Sequence, residues 1–297
     1  LKPHIRNMTT TVTTTPVLLT VDEITALQQS STNKLVFIDS SFKRIDSSVP
    51  YEEFLQSRIP GAVYFDISQF TLKGSPCPPM LPSLETFNES ASRLGISNDD
   101  HLIVYGVKHS PSIARVWWMF KTFQHEKVSF LVGGLEAWKE AGGEIESGEP
   151  QPRSPSNYSS PGIDPRLLAT QENLLNEISN VDHESVLVDV RGGCVYESGH
   201  IPTFINVPIS LFHVEGDYTQ LKSSHEIEHL LRNYNIHPGT RVVFSCNSGM
   251  MASIATLARA SIGESTENTA LYDGSWSEWV LHPDTNPIEI TPPEPII

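Results

Sequence analysis

The chain has 297 residues, 38% of them hydrophobic, which is enough for two ordinary domains with a substantial core. Its formal net charge of −15 argues against nucleic acid and against an anionic membrane surface as partners. Three cysteines do not make a disulfide framework, and no apolar run approaches the roughly 18 residues of a spanning helix. We therefore expect a soluble protein in a reducing compartment, with no nucleic acid and no membrane as partner.

Residues 1–20 form a Thr-rich stretch without an acidic residue. They contain one arginine, Arg6, and no amphipathic pattern, whereas an organelle transit peptide is Arg-rich and amphipathic. We predict a disordered leader here. The cytoplasm is favoured as the compartment, with the mitochondrion as the alternative.

Apolar strand patterns alternate with helical patterns throughout the first half of the chain. Buried strands show as short runs of β-branched and aromatic residues, and helices as apolar residues spaced three and four apart. In chain order the patterns predict a helix over 21–29, a strand over 35–40, a helix over 84–94, a strand over 101–105, a helix over 113–123, a strand over 128–132 and a helix over 135–141. This alternation indicates an α/β domain with a mainly parallel sheet.

The second half repeats the first at a nearly constant shift. The matching residues are Asp39 and Asp189, Ile59 and Ile201, Gly106 and Cys246, and Trp138 and Trp279, which lie 150, 142, 140 and 141 residues apart. Such a shift through separate blocks marks a duplicated domain. We expect two tandem α/β domains, each with a mainly parallel sheet and helices on both faces.

A segment rich in Pro, Ser and Gly separates the two copies. Its composition denies it a core, so it is expected to be a linker that wraps over the surface. We predict a first domain over residues 21–147, a linker over 148–165 and a second domain over 166–290.

Cys246 stands where a buried strand pattern over 241–245 gives way to an Ala-rich helical run. Unpaired N–H groups and the dipole at a helix start favour negative charge, so a thiol there is expected to have a lowered pKa. Ser248 can supply a hydroxyl, and Gly249 lets the backbone come close. The alternative is a small core residue. The first repeat has Gly106 at the position of Cys246. Packing alone would accept a small residue at this position in either copy. A thiol in only one copy therefore indicates one active half and one supporting half.

Several motifs occur in the order typical of one family. They are IPGAVYFDI, RLGISNDDHLIVY, ARVWWMF, a Gly-Gly-x-x-x-Trp turn, SGHIP and a Cys-x-Ser-Gly loop. From about residue 16 to residue 287 the chain resembles the rhodanese superfamily in its two-domain, mercaptopyruvate sulfurtransferase form. The resemblance implies two rhodanese-like domains, of which the second is catalytic.

The resemblance implies a two-step sulfur transfer. A small-molecule donor gives a sulfur atom to the Cys246 thiolate, and the resulting persulfide passes it to cyanide or to an acceptor thiol such as thioredoxin or glutathione. No cofactor is implied, and the histidine spacing predicts no metal site. The residues implied as catalytic are Cys246 and Ser248, and those implied as substrate-binding are Arg191, Asn247, Gly249, Met250, Met251 and Arg58.

Two of these residues, Asn247 and Arg191, indicate which sulfur donor the protein uses. The family loop usually reads C-G-S-G-V-T in the mercaptopyruvate type and C-R-K-G-V-T in the thiosulfate type. A neutral Asn247 resembles the first, because a thiosulfate dianion would want nearby cations. Thiosulfate stays the alternative donor. Arg191 matches the arginine that clamps the donor's carboxylate, and the alternative for it is a structural ion pair with a nearby acid.

The chain departs from the mercaptopyruvate type in ways that predict low activity with that donor. Arg58 replaces the usual His before I-P-G-A, and an arginine can bind an anion but is no base near neutral pH. A second clamping arginine is missing within 192–196, and Met250 and Met251 replace Val-Thr. The alternative function is therefore a weakly active or non-catalytic, regulatory sulfur-binding protein. Cys77 is expected to be an exposed bystander thiol.

Overall fold

Both halves of the chain fold around a parallel sheet. The computed structural model of the protein describes residues 15–30, 34–42, 49–77, 79–180 and 184–291. Within these residues each half contains one five-stranded parallel sheet, and the second half adds an antiparallel hairpin. The predicted alternation of strands and helices is confirmed in both copies.

The first domain has its sheet in the order β1-β5-β4-β2-β3. Its strands are β1 Leu18–Leu19, β2 Leu35–Asp39, β3 Val63–Tyr64, β4 His101–Tyr105 and β5 Val128–Leu131. Its helices are α1 Val21–Ser30, α2 Val49–Gln56, α3 Leu84–Arg93, α4 Ser112–Thr122 and α5 Gly134–Glu140, with a short 3₁₀ helix at Ile67–Gln69.

The second domain repeats this sheet in the order β6-β12-β11-β7-β8, beside the hairpin β9–β10. Its strands are β6 Leu168–Ala169, β7 Val186–Asp189, β8 Ile205–Asn206, β9 His213–Val214, β10 Asp217–Leu221, β11 Val242–Ser245 and β12 Thr269–Tyr272. Its helices are α6 Gln171–Ser179, α7 Gly193–Glu197, α8 Ser224–Asn233, α9 Ala252–Ser261 and α10 Ser275–Trp279, with 3₁₀ helices at Ile209–Leu211 and Thr266–Asn268.

Both faces of each sheet are buried, which explains why the central strands are apolar along their whole length. In β4, Leu102 and Val104 face one core while Ile103 and Tyr105 face another. Helices α1, α2 and α5 cover the outer face of the first sheet, and α3 and α4 cover its inner face. In the second domain α6 and α10 cover the outer face, and α8 and α9 the inner one.

The inner cores of the two domains form one continuous cluster. Helices α4 and α9 pack against each other at its centre. The fully buried Trp117 and Trp118 lie on α4, and burying each such side chain stabilises the fold by about 1.5–3 kcal/mol. The hairpin of the second domain also reaches the first, where Tyr218 N donates to Lys108 O at 2.7 Å. The two halves therefore pack around a shared core.

The structure differs from the sequence prediction at the ends of the domains. Leu18 and Leu19 pair with β5, so the first domain begins before residue 21 and the predicted leader over 1–20 extends too far. A two-residue strand has too few positions to show a period. Residues 1–14 lie outside the described residues. The predicted linker over 148–165 contains no helix or strand in the structure and lies against the first domain, where Arg153 Nη2 donates to Gly95 O. No described helix is long and apolar enough to cross a bilayer.

Candidate active site

Cys246 lies at the carboxyl end of the central strand of the second sheet, as the sequence predicts. It directly follows β11, and the adjacent strand β7 ends at Asp189, which pairs with Ser245. The loop 246–251 then leads into α9, which begins at Ala252. This edge, where parallel strands end and a helix begins, is the usual ligand site of an open α/β sheet. Cys246 itself is only 2% exposed.

The hydroxyl of Ser275 holds the cysteine loop in place. Its Oγ accepts hydrogen bonds from the backbone N–H groups of Cys246 at 3.1 Å and Gly249 at 3.0 Å, and it donates to Tyr272 O at 2.8 Å. The next residue, Trp276, donates its backbone N–H to Cys246 O at 3.1 Å. The start of α10 thus fixes both ends of the turn that carries the thiol.

Ser275 was missed by sequence reasoning, although the repeat carries a signal for it. Its φ is +51°, and Gly134, at the equivalent position of the first domain, has a φ of +57°. A left-handed φ costs a non-glycine residue roughly 1–2 kcal/mol. A serine where the other copy has glycine therefore indicates that its hydroxyl has a role.

Gly249 lets the loop pass close to the end of β12. Its φ is +72°, and a Cβ there would lie 2.7 Å from Asp273 O and 3.0 Å from Arg115 Nη1. Both the backbone conformation and the available space therefore require glycine. This supports the predicted close approach of the backbone at Gly249.

A buried ion pair supports the loop from the first domain. Arg115 Nη1, on α4, lies 2.5 Å from Asp273 Oδ1, and Arg115 Nη2 donates to Pro79 O at 2.8 Å. The other oxygen of Asp273 accepts from Leu81 N at 2.6 Å. The site is therefore assembled by both domains. No sequence pattern reveals this pair, because its members lie far apart in the chain.

Several N–H groups of the loop are available to an anion. Among the described residues, the backbone N–H groups of Asn247, Ser248, Met250 and Met251 donate to no acceptor. They directly precede α9, whose dipole favours negative charge at this end. Asn247 is exposed and Ser248 half-buried, whereas both methionines pack against the core. The loop can thus hold a thiolate or a persulfide anion by backbone donors alone.

Arg191 lies beside the cysteine loop, but most of its guanidinium is already bound. Its Nε and Nη2 donate to the Asp189 carboxylate at 2.7–3.1 Å, and Nη2 also donates to Gly199 O at 2.8 Å. The guanidinium stacks on the Trp276 ring at 4.6 Å. Nη1 donates to no group in the described part of the chain. The structural ion pair considered as the alternative is present, and the carboxylate clamp stays a prediction that depends on Nη1.

Arg58 lies in the core of the first domain and is fully buried. Its Nη2 lies 3.2 Å from Glu146 Oε1, and its Nη1 donates to Gly148 O at 2.6 Å and to Phe54 O at 3.3 Å. These contacts are those of a structural residue. They give no support to the predicted substrate contact, because a guanidinium without solvent exposure does not meet a ligand.

Comparison with known proteins identifies the family. The family model for the rhodanese-like domain matches this chain twice, at residues 21–141 and 170–282. The chain belongs to the rhodanese family. The predicted resemblance and the predicted fold class of two tandem rhodanese-like domains are confirmed.

The relatives of this rhodanese include sulfurtransferases named for two donors. It is 33% identical over 249 residues to 3-mercaptopyruvate sulfurtransferase of Escherichia coli K12, covering 80% of this chain and 85% of that protein. It is 33% identical over 256 residues to thiosulfate sulfurtransferase of Gallus gallus, covering 82% and 85%. The crystal structure of SseA from Escherichia coli, a 3-mercaptopyruvate sulfotransferase, matches with a TM-score of 0.75 at 28% identity, covering 88% of this chain and 99% of that one.

The first rhodanese domain excludes a cysteine at the equivalent position by packing. A Cβ on Gly106 would lie 2.8 Å from Ile113 Cγ1 and 3.2 Å from Ser41 Oγ. At the position of Ile113 the second domain has Ser253, which has a smaller side chain. The expectation that packing would accept either small residue at both places is therefore wrong.

The other two cysteines of this rhodanese differ in environment. Cys194 is exposed, but Cys77 is buried, so the expectation of an exposed bystander thiol is wrong for Cys77. Burial and the nearby carboxylate of Glu278 raise the pKa of the Cys77 thiol. Among the described residues, no group of three or more His, Cys, Asp or Glu side chains is placed to hold a metal ion.

Proposed function

We propose that this rhodanese moves a sulfane sulfur from a small-molecule donor to a thiol or cyanide acceptor through a persulfide on Cys246. The observation that supports this most is the position of the thiol, in a loop held by Ser275 and followed by the start of α9. Backbone N–H groups without an acceptor among the described residues precede that helix, where they suit an anion. The sulfurtransferase names of its relatives agree with this chemistry.

The first step forms the persulfide. With 3-mercaptopyruvate as donor, the Cys246 thiolate attacks the donor's sulfur, an S–S bond forms, and the C–S bond breaks. The electron pair of the C–S bond stays with the carbon and gives the enolate of pyruvate. That carbon then takes up the proton released by the donor's thiol. We assign the transfer of that proton to the half-buried hydroxyl of Ser248, which forms no hydrogen bond within the described residues.

The second step returns the enzyme to its starting state. An acceptor thiolate attacks the outer sulfur, the S–S bond to Cys246 breaks, and the acceptor leaves as a persulfide. Cyanide reacts in the same way and leaves as thiocyanate. Glutathione and thioredoxin are the proposed thiol acceptors, and the rate with each, measured on the preformed Cys246 persulfide, ranks them.

Mercaptopyruvate is the proposed donor because the loop side chains are neutral. Asn247 and Ser248 offer hydrogen bonds without charge, whereas a thiosulfate dianion is better held by cations. The Asp189 carboxylate already neutralises Arg191. Nη1 of Arg191 is the donor that we assign to the substrate carboxylate.

Mass spectrometry with a donor panel tests the proposal. Wild-type protein should gain one sulfur atom on Cys246 with mercaptopyruvate, a thiol should remove it, and Cys246→Ser should gain none. Ser248→Ala should slow the reaction with mercaptopyruvate but not with thiosulfate, because loss of sulfite needs no proton on carbon. No sulfur adduct with either donor would contradict the proposal.

A regulatory sulfur-binding protein is the second candidate, favoured by one observation. Cys246 is 2% exposed, and the core-packed Met250 and Met251 occupy the loop beside it. Such a protein would load one sulfur per Cys246 but turn over slowly. Comparing the rate of the first turnover with the steady-state rate separates the candidates. Equal rates favour the enzyme. A fast first turnover followed by a slow steady-state rate favours the regulatory protein.

A further inference from the structure

The side chain of Asn206 holds the turn that carries Arg191. Asn206 lies on β8, at the edge of the second sheet, where it pairs with Asp189 of β7. Its Nδ2 donates to Asp189 O at 2.9 Å and to Arg191 O at 2.8 Å. The amide therefore uses both of its N–H groups to fix the backbone on either side of Val190.

This turn determines where the Arg191 guanidinium lies. The Asp189 carboxylate accepts from the backbone N–H of Arg191 at 2.9 Å, and from its Nε and Nη2 at 2.7–3.1 Å. Nη2 also donates to Gly199 O, whereas Nη1 donates to no group among the described residues. Because the guanidinium is paired with a residue of its own turn, a shift of the turn moves the whole ion pair. The position of Nη1 therefore depends on the Asn206 amide.

The first domain keeps the same turn but anchors it differently. Tyr64 of β3 pairs with Asp39, and Ser41 N donates to Asp39 Oδ1 at 3.0 Å, which repeats the arrangement around Arg191. Here the Tyr64 hydroxyl donates one hydrogen bond, of 3.3 Å, to Ser41 O. One long bond thus suffices for a turn that carries a serine. Asn206 makes two shorter bonds where the turn carries an arginine, which fits a demand on the position of that arginine.

A carboxylate ligand makes a strict demand on that position. Charge-assisted hydrogen bonds to a carboxylate are short and directional. A displacement of about 1 Å can cost about 100-fold in rate. Arg191 is buried, and its guanidinium is held by Asp189, Gly199 O and the Trp276 ring. It cannot follow a displaced ligand without breaking one of these contacts, so its backbone must already be in place.

We infer that Asn206 is a positioning residue for donor binding, which holds Arg191 so that Nη1 meets the carboxylate of the sulfur donor. This inference rests on the proposed function, in which Nη1 binds that carboxylate. Asn206 acts through Arg191 and takes no part in the transfer itself. Its removal should therefore weaken the binding of donors that carry a carboxylate, and it should leave the chemistry of the bound donor unchanged.

Single-turnover sulfur loading of Cys246, followed by mass spectrometry, tests this inference with two donors. One is 3-mercaptopyruvate, and the other is mercaptoacetone, in which a methyl group replaces the carboxylate. Asn206→Leu is similar in size and removes both N–H donors. It should raise the half-saturating concentration of mercaptopyruvate about 10- to 100-fold and change the maximal loading rate by less than about twofold. Its loading from mercaptoacetone should match that of wild type.

Tyr64→Phe is the matched control, because it removes the hydroxyl that holds Ser41 O in the first domain. It should leave loading from both donors unchanged. An equal loss with both donors in Asn206→Leu would show that the amide only supports the fold, and it would overturn the inference. An unchanged half-saturating concentration of mercaptopyruvate in Asn206→Leu would overturn it as well.

Two further variants make the test independent of how well Asn206→Leu folds. Asn206→Ala removes the same N–H donors without adding apolar bulk, and it should give the same pattern with the two donors. In Arg191→Met, adding Asn206→Ala should change the half-saturating concentration by less than about twofold, because the residue that Asn206 positions is gone. A full additional loss there refutes the inference. Wild type that gains no sulfur from either donor would refute the proposed function itself, whereas normal loading in both wild type and the Asn206 variants refutes only the inference.

Discussion

Removing the Ser275 hydroxyl should disable the cysteine loop, and two substitutions separate the hydrogen bonds from the backbone strain. In Ser275→Ala the Cβ and the strained φ of +51° remain, but the N–H groups of Cys246 and Gly249 lose their acceptor. In Ser275→Gly the acceptor is lost and the strain is relieved. The glycine variant also reproduces the first domain, which has Gly134 at this position.

The magnitudes follow from these contacts. Each buried N–H group left without an acceptor costs about 1–3 kcal/mol, so the loss of the acceptor for two such groups in Ser275→Ala should lower the free energy of unfolding by about 2–6 kcal/mol. Ser275→Gly should cost about 1 kcal/mol less, because glycine accepts the left-handed conformation. Both variants should slow persulfide formation on Cys246 by about 10- to 100-fold, since a misplaced reacting atom costs that much.

Urea denaturation and the single-turnover rate of sulfur loading measure these two effects. Ser277→Ala is the matched control, because this neighbour on α10 donates its backbone N–H to Asn247 O at 2.9 Å and its side chain forms no hydrogen bond among the described residues. The control should change neither quantity. If Ser275→Gly loads sulfur at the wild-type rate, the hydroxyl does not position the loop and this reasoning is wrong.

Three further substitutions test the loop, the domain interface and the buried Asp39 carboxylate of the first domain. Gly249→Ala should abolish sulfur loading, because its Cβ would lie 2.7 Å from Asp273 O; loading at the wild-type rate would contradict this. Arg115→Met should lower the free energy of unfolding by about 3–5 kcal/mol, since it leaves a buried carboxylate unpaired, and adding Asp273→Leu should recover part of that loss in urea denaturation. Burial raises the pKa of Asp39 to about 6 in the folded protein, so wild type loses stability as the pH rises from about 4 to 6 and the buried carboxyl ionises. Asp39→Asn should therefore be as stable as wild type at pH 4 and more stable by about 1–3 kcal/mol at pH 8. Urea denaturation at both pH values checks this last prediction, and the same difference at each pH would refute it.

The sequence by itself determined the parts of this protein that depend on local patterns. Apolar runs and helical spacing predicted seven of the strands and helices of the first domain, and the repeat at a nearly constant shift predicted two tandem domains. Cys246 was recognisable because a strand, a loop and a helix start follow one another along the chain. These signals need only neighbouring residues, or two stretches compared with each other.

The tertiary structure alone decided the features that depend on contacts between distant segments. Ser275 reaches Cys246 from the next strand-to-helix connection, and Arg115 reaches Asp273 from the other domain. The burial of Arg58 beside Glu146 depends on how the end of the first domain folds back against the segment that carries Arg58. The partners in these contacts are far apart in the sequence and close in space. Tertiary packing brings them together, and no local sequence pattern encodes that packing.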